Sequence, residues 1–144
     1  MPSRRHEPGA GSDLEASSVL KLGDFQQTPT LTLSEARLIL NAVVEKRREL
    51  APNGRIQETE TLTKTQDYLD MFARFKDKEN VEAAERILTS YAGQLDFFER
   101  SQLGSLLPDE AEEAKALIPS LQSKISDGDL QQLLDELQKL RLNG

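Results

Sequence analysis

Cysteine and tryptophan are absent from the 144 residues, and histidine occurs once, at His6. Without cysteine there is no disulfide, no thiolate nucleophile and no Cys-based zinc site. His6 lies in a Pro- and Gly-rich start that offers nothing to hold it in place, so the usual nucleophile–base pairs lack a base. Glycine-rich phosphate loops are missing too; the eight glycines are scattered. No apolar run approaches the roughly 20 residues of a spanning helix. Met1 to Gly11 carries no apolar segment behind its basic pair, which argues against a secretory signal. A soluble, intracellular chain with no membrane partner and no cofactor is expected. Positive charge is also short, with 18 basic against 25 acidic residues and a net charge of −7. A general nucleic-acid binder needs a positive face to displace counterions. The alternative reading of a stand-alone helical nucleic-acid-binding module starts from that handicap, whereas an unrelated helical adaptor would be told apart by a different co-purifying partner.

What is present is helical periodicity. Residues 1–18 read as a disordered tail, broken by Pro2, Pro8, Gly9 and Gly11. Val19-Leu20-Lys21-Leu22-Gly23 reads as a short strand with no mate in a helical chain. Thr32 and Glu35 have capping-box spacing ahead of Ala36, Ile39, Leu40 and Val43, with Leu50 continuing that face. Pro52-Asn53-Gly54 stops this first helix. A second helix is expected over 58–75, where Leu62, Leu69 and Phe72 share a face widened by Tyr68, Met71 and Phe75. A third covers 78–91 with Val81, Ala84, Leu88 and Tyr91, and a fourth covers 96–106. Asp109 and Glu112 resemble another capping box ahead of Ala114, Leu117 and Ile118, closed by Pro119. Ser126 and Asp127 are candidate caps for the last helix, whose stripe is Leu130, Leu133, Leu134, Leu137 and Leu140. The fold class is therefore all-α. It divides into the tail (1–18), a partner-binding strand and first helix (19–57), and a helical bundle (58–144). The expected core of residues 94–142 includes Leu103, Leu106, Leu117, Ile118, Leu130, Leu134 and Leu137.

Clusters that could carry chemistry have plainer explanations. Asp109, Glu110, Glu112 and Glu113 sit where a helix start favours acids. Lys46-Arg47-Arg48 could touch phosphate, but it falls in the last turns of a helix with Glu45 and Glu49 beside it. Tyr68, Phe72 and Phe75 have helical spacing, which favours core or interface over a base-stacking platform. Residues 94–144 hold five basic and ten acidic residues, so the C-terminal part is the acidic part. A partner interface remains. The unpaired strand (Val19, Leu20, Leu22) would add to a partner's sheet edge, and the Ala36, Ile39, Leu40, Val43 face would lie on the same partner.

The segments run in the order LKLG (20–23), LTLSEARLIL (31–40), YLDMFARFKDKE (68–79), AAERIL (83–88), FERSQLGSL (98–106), DEAEEAKALIPSL (109–121) and LQQLLDELQKLR (130–141). That order resembles the family of the fourth-largest subunit of eukaryotic RNA polymerase II. The long charged insertion that some fungal members carry between the first two helices is missing. The resemblance implies a non-catalytic subunit that pairs with the seventh polymerase subunit, a two-domain protein with an RNA-binding barrel. The pair forms a stalk beside the RNA exit channel of core RNA polymerase II, with RNA met mainly through the partner. It also implies a C-terminal bundle like the helicase-and-RNase-D C-terminal domain, and a nuclear protein that can shuttle to the cytoplasm. The implied roles are support of initiation and links to messenger RNA export and decay.

Overall fold

The computed structural model describes residues 14–142. Two short strands, β1 (Glu15–Ala16) and β2 (Leu20–Lys21), are followed by a 3-10 turn at Gly23–Phe25. Then come helices α1 (Leu33–Leu50), α2 (Glu60–Phe72), α3 (Lys78–Thr89), α4 (Phe97–Leu106) and α5 (Ala111–Leu117). A second 3-10 turn (Pro119–Ser123) leads into α6 (Asp127–Leu142).

β1 and β2 pair antiparallel, with Glu15 opposite Lys21 and Ala16 opposite Leu20. This overturns the expectation that the Val19–Gly23 strand has no mate in its own chain. A bend at 17–19 turns residues assigned to the tail back onto it. Two-residue strands are too short to leave an alternating pattern in a sequence. Residues 1–13 of the expected tail lie outside the described residues.

The helix starts follow their side chains. Thr32 Oγ1 accepts the Glu35 N–H at 3.1 Å and Glu35 Oε1 accepts the Thr32 N–H at 3.0 Å, a complete capping box. The Leu33 N–H, another donor left unpaired by helix geometry, reaches Ser105 Oγ on α4 at 3.0 Å. Ser126 caps α6 by accepting the Asp129 N–H at 3.2 Å. The Asp109–Glu112 capping box does not form. The N-cap is Glu110, without a side-chain cap. Asp109 instead accepts a hydrogen bond from Gln138 of α6 at 3.0 Å. Pro119 opens the second 3-10 turn, one residue beyond the C-cap of α5.

The core lies where α3, α4, α5 and α6 meet, around Leu103, Leu121, Leu130, Leu133, Leu134 and Leu137, all fully buried. Of the expected core, Leu103, Ile118, Leu130, Leu134 and Leu137 are inside. Leu106 and Leu117 are 38% and 52% exposed. Leu107 takes the inward place instead. It is the C-cap of α4 in the left-handed conformation, φ 46°, which turns the chain and buries its side chain.

The 19–57 segment is not separated from the bundle by the turn at Pro52. α1 packs on α2, α3 and α4. Ser34 and Val44 are buried, and Leu38 lies against the core.

Candidate interaction surface

α1 is a helix with two working faces. Ser34, 1% exposed, accepts the Phe75 N–H at 3.0 Å and so anchors the start of α1 to the α2–α3 connection. Val44, Arg37 and Arg48 face α2. Arg37 pairs with Asp70 at 2.7 Å and Arg48 pairs with Glu58. Val43 lies nine positions after Ser34. At roughly 100° per residue that is two and a half turns, so Val43 is on the side opposite the anchor. Ile39 at 51%, Val43 at 43% and Leu50 at 73% are exposed there, and Ala36, two turns before Val43, and Leu40 are half-buried. A helix with one apolar side in the fold and a second apolar side in solvent carries more hydrophobic surface than its own chain covers.

α2 carries exposed aromatic side chains of its own. Leu69 and Ala73 are buried, whereas Tyr68 and Phe72 are exposed, with ring centroids 4.8 Å apart and planes inclined by 44°. Of the three aromatics read as core or interface, only Phe75 is core.

The strand part of the expected interface is arranged differently from its sequence reading. Val19, 62% exposed, sits in the bend and not in a strand. Leu20 is half-buried in β2. Leu22 follows the strand, and its N–H is already used, donating to Gln26 Oε1 at 3.1 Å. The segment between the hairpin and α1 is tied to the start of α4, because Gln26 Nε2 donates to Asp96 Oδ2 at 3.3 Å and Thr30 Oγ1 donates to the Phe97 carbonyl at 2.9 Å.

A buried polar group sits below that attachment and was not visible as such in the sequence. Glu99 is fully buried and takes hydrogen bonds from Ser120 Oγ at 2.5 Å, Lys124 Nζ at 2.7 Å and the Asp96 N–H at 2.9 Å. Lys124 also donates to Asp96 at 3.0 Å. Desolvation pulls the Lys124 pKa down, but the hydrogen bonds to Glu99 and Asp96, with the charges of both carboxylates, outweigh it and leave the pKa raised. Every member has a partner, as a buried ionic group requires. The D-x-x-E spacing of Asp96 and Glu99 is the signal that could have flagged the local half of this arrangement. The long-range half, Ser120 and Lys124, has none. Arg100 Nε is buried without a partner among the described residues, while its guanidinium carbon lies 4.6 Å from the centre of the Phe97 ring.

No constellation for chemistry accompanies these features among the described residues. No three His, Asp or Glu side chains are grouped to hold a metal. Glu112 and Glu113 lie in the first turn of α5. Arg47 and Arg48 lie in the last turn of α1, where cations complement the helix dipole. No described helix is long and apolar enough to cross a membrane. The class this defines is a helical scaffold with an exposed apolar stripe on its first helix.

Comparison with known proteins narrows the class to a family. Residues 30–141 match the model of the RNA polymerase Rpb4 family. DNA-directed RNA polymerase II subunit rpb4 of Schizosaccharomyces pombe is 45% identical over 128 residues, covering 88% of this chain and 92% of that protein. RPB4 of Saccharomyces cerevisiae is 51% identical over 79 residues, 55% of this chain and 35% of that protein. RNA polymerase II subunit 4 of Arabidopsis thaliana is 33% identical over 80% of this chain and 83% of its own length. The chain belongs to the RNA polymerase Rpb4 family.

Proposed function

We propose that this chain forms the stalk heterodimer of RNA polymerase II with the seventh subunit, near the RNA exit channel, and holds that partner through the outer face of α1. Membership of the Rpb4 family makes it a non-catalytic subunit of RNA polymerase II, associated with the core enzyme and nuclear in location. The pairing is the finer reading. One observation carries it: Ile39 and Val43 are exposed on the side of α1 opposite Ser34, with half-buried Ala36 and Leu40 beside them. Exposed apolar area of this kind, rimmed by charge, is what an obligate partner covers. The β1–β2 ribbon supports a contribution from the N-terminal segment. A two-stranded ribbon leaves outer edges unpaired, and a partner's edge strand could extend it at Leu20. Through this pairing the chain would support initiation, meet RNA mainly through the partner, and link the polymerase to export and decay of the transcript.

The test is co-purification with the seventh subunit. Ile39→Asp combined with Val43→Asp should abolish a one-to-one complex while leaving helicity and the melting midpoint of the free chain close to wild type, since both side chains are exposed. Leu20→Pro should weaken the complex more modestly. A stable complex with the double-aspartate variant would overturn the assignment of this face.

A further inference from the structure

A groove runs between α1 and α3, with a volume of about 390 Å3. Leu38, Ile39 and Ala42 form its α1 wall, and Val81, nearly fully buried, forms its floor on α3. The small side chain of Ala42 leaves it open. Its rim is acidic: Glu35, Glu82 and Glu85 border it, against one lysine, Lys78. Lys78 lies 3.9 Å from Glu82, both well exposed, a pairing that neutralises little. Glu85 has no ion pair among the described residues. From Glu35 to Ala42 the wall spans roughly 10 Å, at about 1.5 Å per residue. That length accommodates apolar anchors spaced one and two turns apart on another helix.

We infer that this groove docks an amphipathic helix of another protein, one that places aliphatic side chains on Leu38, Ala42 and Val81 and lysine or arginine against Glu82 and Glu85. Two properties select that occupant. An apolar floor requires aliphatic anchors, and a rim with three carboxylates and one lysine requires flanking cations and rejects anions. The chain's own residues 1–13 do not fit. They bring Arg4 and Arg5, but apart from prolines only Met1 and Ala10 are apolar. Nucleic acid is rejected by the same rim. The groove shares Ile39 with the α1 outer face but extends beyond it through Leu38, Ala42 and Val81.

The test uses the full chain and two labelled synthetic helical peptides with the same leucine spacing, one flanked by lysines and one by glutamates, read by fluorescence anisotropy. The lysine peptide should bind about tenfold or more tightly than the glutamate peptide. Glu82→Lys with Glu85→Lys should reverse that preference. Ala42→Trp, at an exposed position, should block both peptides, and the melting curve of each variant reports whether it folds. Loss of the preference in the charge-reversed chain, together with amide shifts on α1 and α3, supports the groove. Failure of the lysine peptide to bind, or binding unaffected by both variants, overturns it. So does loss of the site on assembly with the seventh subunit, combined with weaker assembly by the charge-reversed chain. That result would assign the groove to the seventh subunit.

Discussion

The hydroxyl of Ser34 accepts the backbone N–H of Phe75 at 3.0 Å, joining the first turn of α1 to a residue 41 positions away. Both residues are buried. Ser34→Ala removes the acceptor and leaves a buried donor unpaired. The expected loss is about 1–3 kcal/mol, measured by urea unfolding. Ser34→Thr, which keeps the oxygen, should retain more of the stability. An alanine variant as stable as wild type would show that the Phe75 amide finds another acceptor.

Leu134 and Leu117 were expected in the same core, and only Leu134 is there. Leu134→Ala should cost about 2–5 kcal/mol, from lost burial and the cavity left behind. Leu117→Ala should cost under about 1 kcal/mol, since the side chain is 52% exposed. Equal midpoint shifts in the two variants would contradict the assignment of the α5 faces.

Gly104 of α4 lies against Thr32 at the start of α1 and Leu88 of α3. A Cβ there would stand 2.7 Å from Thr32 Cγ2 and 2.9 Å from Leu88 Cδ1. Thr32 is fixed by its capping box and cannot turn aside without losing it. Gly104→Ala should therefore destabilise by about 1–2 kcal/mol, even though alanine is the better helix former. A gain in stability on thermal melting would mean that the helices separate at no cost.

The Lys124 ammonium should contribute pH-dependent stability. Its folded pKa lies above the ordinary value of 10.5. Its contribution is then fully present below that value and is lost as pH rises through the folded pKa. At neutral pH Lys124→Met should destabilise by about 1–3 kcal/mol, since it leaves Glu99 buried with fewer donors. The gap between wild type and variant should stay constant through neutral pH and narrow only above about 10.5. A gap that closes between pH 5 and 8 would point to another group.

Helices and the outer stripe of α1 were legible because they rest on local spacing. Thr32 and Glu35 are three residues apart, and Ala36, Ile39, Leu40 and Val43 repeat with the helix. The features that escaped depend on which residues meet in space. The Asp109–Glu112 spacing suggested a cap, but Gln138, from a helix 29 positions away, takes Asp109 instead. Leu106 and Leu107 are neighbours of equal hydrophobicity. Only the left-handed turn at Leu107 decides which one points inward. Glu99 is satisfied in the interior by Ser120 and Lys124, which are 21 and 25 positions away in the chain. The β1–β2 pairing involves four residues, too few for periodicity to register.

The exposed stripe on α1 also makes the stability of this chain a function of its surroundings. A molecule that covers Ile39 and Val43 binds the folded form alone, because the unfolded chain presents no such face. By mass action it raises stability by RT ln(1 + [L]/Kd), about 2.7 kcal/mol at a hundredfold excess over Kd. The melting temperature would then act as a gauge of that molecule's concentration, and the uncovered chain would unfold more often and be more open to proteolysis.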